Sequence, residues 1–147
     1  MALLSDADRT HVREMLAEMA DHVILRFYTQ SIGCETCPET RQILDLLAEL
    51  SDGKVTIDER NLVLDVSEEE AGVDRAPTVH VVRMDGDGIE HEVGVQFVGA
   101  PLGYEFTSLI DAVLMVSRQE HGLSDQSVQL LAAVTSPMAI QVFTTPT

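Results

Sequence analysis

The sequence predicts one α/β domain, a mixed β-sheet flanked by helices. Three observations predict it. The chain has 147 residues, 45% of them apolar, which is enough for a core of its own. Helix-period and strand-period segments alternate in the order helix, strand, helix, strand, short helix, strand, strand, helix. The last two strands flank a "DGDG" turn at 85–88, the mark of a hairpin. A strand–helix–strand start followed by a hairpin and a helix gives a sheet of mixed direction with helices on both faces.

Each element has its own signal. Ser5 and Asp8 form a capping-box variant, and Val12, Leu16 and Met19 follow at helical spacing beside Met15, predicting a helix over about 5–20. "HVILRFYT" (22–29) is dense in β-branched and aromatic residues and reads as a buried strand. From Glu35 onward Ile43, Leu44, Leu47 and Leu50 make one apolar helical face that ends near Asp52-Gly53. "KVTIDERNL" (54–62) starts with strand alternation, and "SEEEAG" (67–72) is one or two helical turns. A strand runs from Thr78 and returns over 92–99. The run 103–120 is a helix with Phe106, Leu109, Ile110, Val113 and Leu114 inward, and His121-Gly122 ends it.

The end of the chain echoes its beginning. Leu4-Ser5-Asp6 and Leu123-Ser124-Asp125 each open an apolar helix that leads to a strand ending in Phe, one residue and Thr, at Phe27–Thr29 and Phe143–Thr145. Both serines are good N-caps, and the ordered match points to duplication. The predicted division is a unit over 1–121, followed over 122–147 by the helix and strand that begin a second unit. Without its own sheet, the strand over Met138–Phe143 has unpaired backbone groups. It is therefore expected to fold back on the first unit or to self-associate.

Net charge is −16, which argues against nucleic acid and anionic membranes as partners. Lys54 is the only lysine, against eight arginines and 25 acids, which reads as an ordinary soluble acidic protein or, alternatively, as adaptation to high salt, where self-repulsion is screened. No stretch approaches 18 apolar residues, and the N-terminus lacks a basic segment followed by an apolar run. These features suggest a cytoplasmic protein.

Both cysteines, Cys34 and Cys37, lie in "SIGCETCPET" (31–40). A metal clip, an inert pair and a redox centre all fit the spacing. Zinc takes four ligands, usually two such pairs or a pair plus close histidines. His11, His22, His80, His91 and His121 are scattered and no second pair exists, so no metal is expected. Placement between a strand and a helix favours redox chemistry. A free thiol has a pKa of roughly 8.5, which a helix N-terminus lowers. Cys34, just before the helix, would be the exposed attacking thiol and Cys37, one turn in, the shielded resolving one. Pro38 sits where no N–H is needed. Glu35 acts against the thiolate, and no Lys, Arg or His lies inside the motif, so the couple is expected to be a moderate nucleophile and fairly reducing. In "VDRAPTVHV" a proline directly precedes a strand. A cis Ala76–Pro77 bond would leave the Ala76 backbone free to pair with an incoming peptide; the alternative is an ordinary strand-starting proline.

Together the 22–29 strand, the Cys34–Cys37 helix, Pro77 before its strand, and Gly99 closing the hairpin resemble the thioredoxin fold. The "LLSDAD" start, "DRAP" (Asp74 to Pro77) and the run from Phe97 to Phe106 resemble more closely the protein disulfide oxidoreductases, glutaredoxin-like proteins of two tandem thioredoxin-fold units. The N-terminal domain of the flavoprotein subunit of alkyl hydroperoxide reductase is a more distant likeness. This resemblance implies a thiol–disulfide oxidoreductase with Cys34 as nucleophile, Cys37 as resolving thiol and Ala76-Pro77 facing them at the substrate. It implies no cofactor beyond the Cys34–Cys37 disulfide. It implies protein disulfides as substrates and a flavoprotein, thioredoxin-reductase-like partner. In the family the second unit continues past a Thr-Pro segment into its own CxxC, whereas Thr145-Pro146-Thr147 stands last here; either the reading frame is truncated or one site serves. Two other readings are a non-catalytic docking module for a flavoprotein or a missing second unit, and a glutathione-linked glutaredoxin. Many thioredoxin-like proteins keep a buried carboxylate behind the CxxC. Alignment on Phe27-Tyr28 puts Arg26 there, read as a strand-edge arginine reaching solvent.

Overall fold

The computed structural model describes residues 3–145. Four strands, β1 (His22–Thr29), β2 (Val55–Asn61), β3 (Thr78–Met84) and β4 (Glu90–Val98), form one sheet in the order β2-β1-β3-β4. β1 runs parallel to β2 and antiparallel to β3, and β3 antiparallel to β4. The sheet is therefore mixed, as expected. Five helices accompany it: α1 (Asp6–Ala17), α2 (Cys37–Leu50), α3 (Glu68–Ala71), α4 (Tyr104–Arg118) and α5 (Asp125–Leu131).

Strand alternation sorts the side chains of β1. Val23, Leu25 and Phe27 point to one face, in register with Val55, Ile57 and Glu59 of β2. Val81 and Val79 of β3 lie opposite Leu25 and Phe27. The apolar stripes of α1, α2 and α4 close over this face, with Leu16, Leu44, Leu47, Leu109 and Val113 fully buried. Each such side chain contributes about 1.5–3 kcal/mol by leaving water. The other face carries Ile24, Arg26, Tyr28, His80 and Val82. There α3 and its loops are the cover, through a small cluster of Tyr28, Leu62 and Val73. Helices flank both faces, but three long ones lie on one side and a four-residue one on the other.

Local signals explain the ends. The Ser5 hydroxyl accepts from the Asp8 N–H, as expected. Ser67 and Glu70 make a full capping box on α3, which lets a helix of four residues form at all. The hairpin closes through Asp85 N–H to Ile89 O and Gly88 N–H to Asp85 O. β4 then carries a bulge opposite Val81 and Val82, with Gly94 at φ 76° supplying the left-handed residue.

Several boundaries differ from expectation. α1 stops at Ala17, and Met19 is buried from the turn beyond it. α2 begins at Cys37, not Glu35. α4 ends earlier than His121-Gly122, on Gln119 at φ 57°, whose N–H reaches Met115 O and Val116 O. The expected strand over 138–143 is absent; these residues are irregular and exposed. A strand is held by hydrogen bonds to a neighbouring strand, and none lies beside this segment among the described residues. The tail meets the first unit through a Thr144–Glu105 hydrogen bond without entering its core, and α5 forms on its Ser124 cap but buries no side chain. Pro146 and Thr147 lie outside the described residues.

Candidate active site

One end of the sheet collects the loops of interest. Tyr28 is in register with Thr78, so the loop leaving β1 and the turn entering β3 meet there. The first carries Cys34, the second Ala76 and Pro77, and both Cys34 and Ala76 rest against the main core cluster. Gly99 joins them from the end of β4, donating its N–H to Pro77 O at 2.9 Å. Its φ of 95° is open to glycine and strained for other residues.

Cys34 and Cys37 form a disulfide, with their Cα atoms 5.5 Å apart. Cys34 is half-buried and precedes the helix; Cys37 is its first residue and only 4% exposed. Cys34 is thus the less buried residue of the pair, and Cys37 opens the helix rather than lying a turn inside it. Thr36 is the N-cap but its side chain makes no capping bond, and Pro38 follows in the first turn. The α2 N-terminus therefore carries no side-chain cap beside the disulfide.

The Ala76–Pro77 bond is cis. Pro77 is buried and Ala76 half-buried. Thr78 Oγ1 ties the turn down by donating to Arg75 O at 2.8 Å. Among the described residues the Ala76 N–H and C=O make no hydrogen bond.

Arg26 requires a correction. β1 is an inner strand, and Arg26 is 5% exposed rather than reaching solvent at an edge. Alternation also turns it away from α2, because it is Phe27 that faces the cysteine helix. Its guanidinium holds Asp58 at 2.8 Å, Glu90 at 2.5 Å and Glu92 at 2.8 Å. Burial opposes the Arg26 charge, but Asp58 and Glu90 outweigh it and hold its pKa above the ordinary value. Burial likewise pushes Asp58 up, and Arg26 and Arg60 reverse this to leave it below the usual range. His80 stacks edge-on to Tyr28 with ring centres 4.9 Å apart. Burial lowers the His80 pKa and raises that of Tyr28. An ion-pair network thus does on this face what a helix does on the other.

One site feature was missed from sequence. Asn61, at the end of β2, links two loops. Its Nδ2 donates to Ser31 Oγ at 3.0 Å, and its Oδ1 accepts from the N–H groups of Val63 and Leu64. An asparagine closing a strand is a turn signal, but its partner thirty residues away is not legible locally.

No known family model matches the chain, and no curated protein matches it in sequence. Solved structures do. A protein disulfide oxidoreductase from Aeropyrum pernix K1 superposes with TM-score 0.73 at 27% identity, over 90% of this chain and 56% of that one. The alkylhydroperoxide reductase AhpF of Enterococcus faecalis gives 0.73 at 23%, over 91% and 62%. Its N-terminal domain, solved alone, gives 0.73 at 23%, over 90% and 61%. The chain thus spans under two thirds of these neighbours, and it has the thioredoxin-like fold that the motifs around Cys34 and Pro77 predict. Among the described residues no helix is long and apolar enough to cross a membrane.

Proposed function

We propose that this chain is a thiol–disulfide oxidoreductase acting on protein disulfides. The observation that carries the reading is the Cys34–Cys37 disulfide, with Cys34 half-buried and Cys37 buried, at the sheet end where Ala76 offers an unpaired backbone. In the reduced protein the Cys34 thiolate, favoured by the uncapped α2 N-terminus, attacks one sulfur of a substrate disulfide. The substrate S–S bond breaks, the sulfur that was not attacked leaves and takes up a proton, and a mixed disulfide joins Cys34 to the attacked sulfur. Cys37 then loses its proton and attacks Cys34. The second substrate thiol leaves, and the Cys34–Cys37 disulfide closes. Two electrons have passed from the dithiol to the substrate, and the reverse sequence oxidises a dithiol. Ala76 N–H and C=O pair with the substrate backbone beside its cysteine. A flavoprotein reductase in the cytoplasm is the electron donor in this proposal, a reading supported by the likeness to part of an alkylhydroperoxide reductase.

Insulin reduction driven by dithiothreitol tests the reading. The wild type should accelerate it and Cys34→Ser should not; equal rates would remove the nucleophile assignment. The docking alternative draws on residues 123–145, which expose Leu130, Ile140 and Phe143. A Cys37→Ser protein separates the two readings, since it should accumulate mixed disulfides with other proteins if Cys34 attacks and trap nothing if the pair is passive. A glutathione-linked activity is disfavoured by Glu35 and the acidic surface, glutathione being itself an anion.

A further inference from the structure

The loop that carries Cys34 does not stand alone. Ser31, three residues before it, is fastened to Asn61 across to the end of β2. Asn61 is 9% exposed and uses both ends of its amide. One end holds Ser31; the other accepts from Val63 N–H at 2.9 Å and Leu64 N–H at 3.1 Å, fixing the turn that follows. Its backbone is committed as well, N–H to Asp65 Oδ2 at 2.8 Å and C=O to the N–H groups of Asp65 and Val66. The neighbours of these anchors are large, apolar and exposed: Ile32 at 90%, Val63 at 76% and Leu64 at 77%. The 61–66 turn, held by one residue through this many bonds, has little freedom left, and the Asn61–Ser31 bond ties the Cys34 loop to that fixed turn; three such side chains on a surface this acidic mark a contact site.

We infer that Asn61 is a positioning residue that clamps the Cys34 loop to the 61–66 turn, so that Ile32, Val63 and Leu64 form one apolar rim for the polypeptide flanking a substrate disulfide. The inference rests on the proposed function and specifies its substrate class: a cysteine followed or preceded by apolar residues, not a small disulfide without flanking polypeptide. Disulfide exchange itself stays with the two sulfurs, whereas the clamp acts on how well a peptide is held beside them.

The experiment compares insulin with hydroxyethyl disulfide as substrates of the full chain. Ser31→Ala cuts the inter-loop bond at an exposed position; Asn61→Ala also removes the turn; Asn61→Asp keeps an acceptor for Val63 and Leu64 and can accept from the Ser31 hydroxyl. A hydrogen bond worth about 0.5–1.5 kcal/mol corresponds to a factor of about 2–12. Ser31→Ala and Asn61→Ala should therefore raise the insulin KM by about that factor relative to the KM for hydroxyethyl disulfide, with kcat nearly constant, and Asn61→Asp should restore it. An unchanged KM ratio, or an equal loss on both substrates, overturns the inference while leaving the redox function standing. A wild type inactive on both substrates, with nothing trapped by Cys37→Ser, overturns the proposed function and the inference together.

Discussion

Replacing Arg26 by methionine removes the centre of the ion-pair network while keeping an unbranched stem beside Ile24 and Val82. Truncating one partner of a fully buried ion pair costs about 3–5 kcal/mol. Here the cation is buried, but the side chains of Asp58, Glu90 and Glu92 are 35%, 47% and 62% exposed. They regain water when Arg26 is lost, and exposed charges contribute little, so the loss falls to about 2–3 kcal/mol. For a chain of this size that lowers Tm by roughly 6–10 °C. A second signature follows from what remains. Three carboxylates then face one another and, among the described residues, only Arg60, on Asp58 at 2.9 Å, still pairs with any of them. Their repulsion is screened as the Debye length falls from roughly 10 Å at 0.1 M to 3 Å at 1 M salt, so the deficit should shrink as KCl is added. Thermal unfolding followed by circular dichroism, at 0.1 and 1 M KCl, measures both effects. A variant within about 2 °C of wild type at low salt, or a deficit that ignores KCl, would show that the network is not what stabilises this face.

The wild type itself, with net charge −16 and one lysine, should gain stability from about 0.1 to 2 M KCl; a flat thermal midpoint refutes adaptation to salt. Burial holds His80 below its ordinary pKa of 6.5, so the unfolded chain binds the extra proton first. Stability should be intact above about pH 6.5 and decline as pH falls below it, a decline that His80→Gln removes; an unchanged slope in that variant shows that another group is responsible. Deleting 123–147 should leave Tm within a few degrees and insulin reduction intact, since residues 123–145 bury no side chain and touch the body by a Thr144–Glu105 hydrogen bond. Light scattering should show any oligomer reduced, and unfolding of the remainder would place the tail in the core.

Period and punctuation in the sequence determined most of the fold. The spacing of Leu44, Leu47 and Leu50 made α2, the β-branched run of 22–29 made β1, and Asp85 to Gly88 set the hairpin, because each depends on contacts within a few residues. The CxxC between strand and helix, and Pro77 before β3, were legible for the same reason. Tertiary structure decided what depends on neighbours distant in the chain. Arg26 reads as an edge arginine until Asp58, Glu90 and Glu92 arrive from two other strands to balance its charge. The segment 138–143 has strand composition, yet it is irregular, since backbone alternation cannot supply the hydrogen bonds of an adjacent strand. Ser31 and Asn61, thirty residues apart, meet only because β1 and β2 lie in parallel register from Val23 to Thr29. Composition and local spacing fix which residues can be buried or capped, but a partner across the sheet exists only once the sheet has formed.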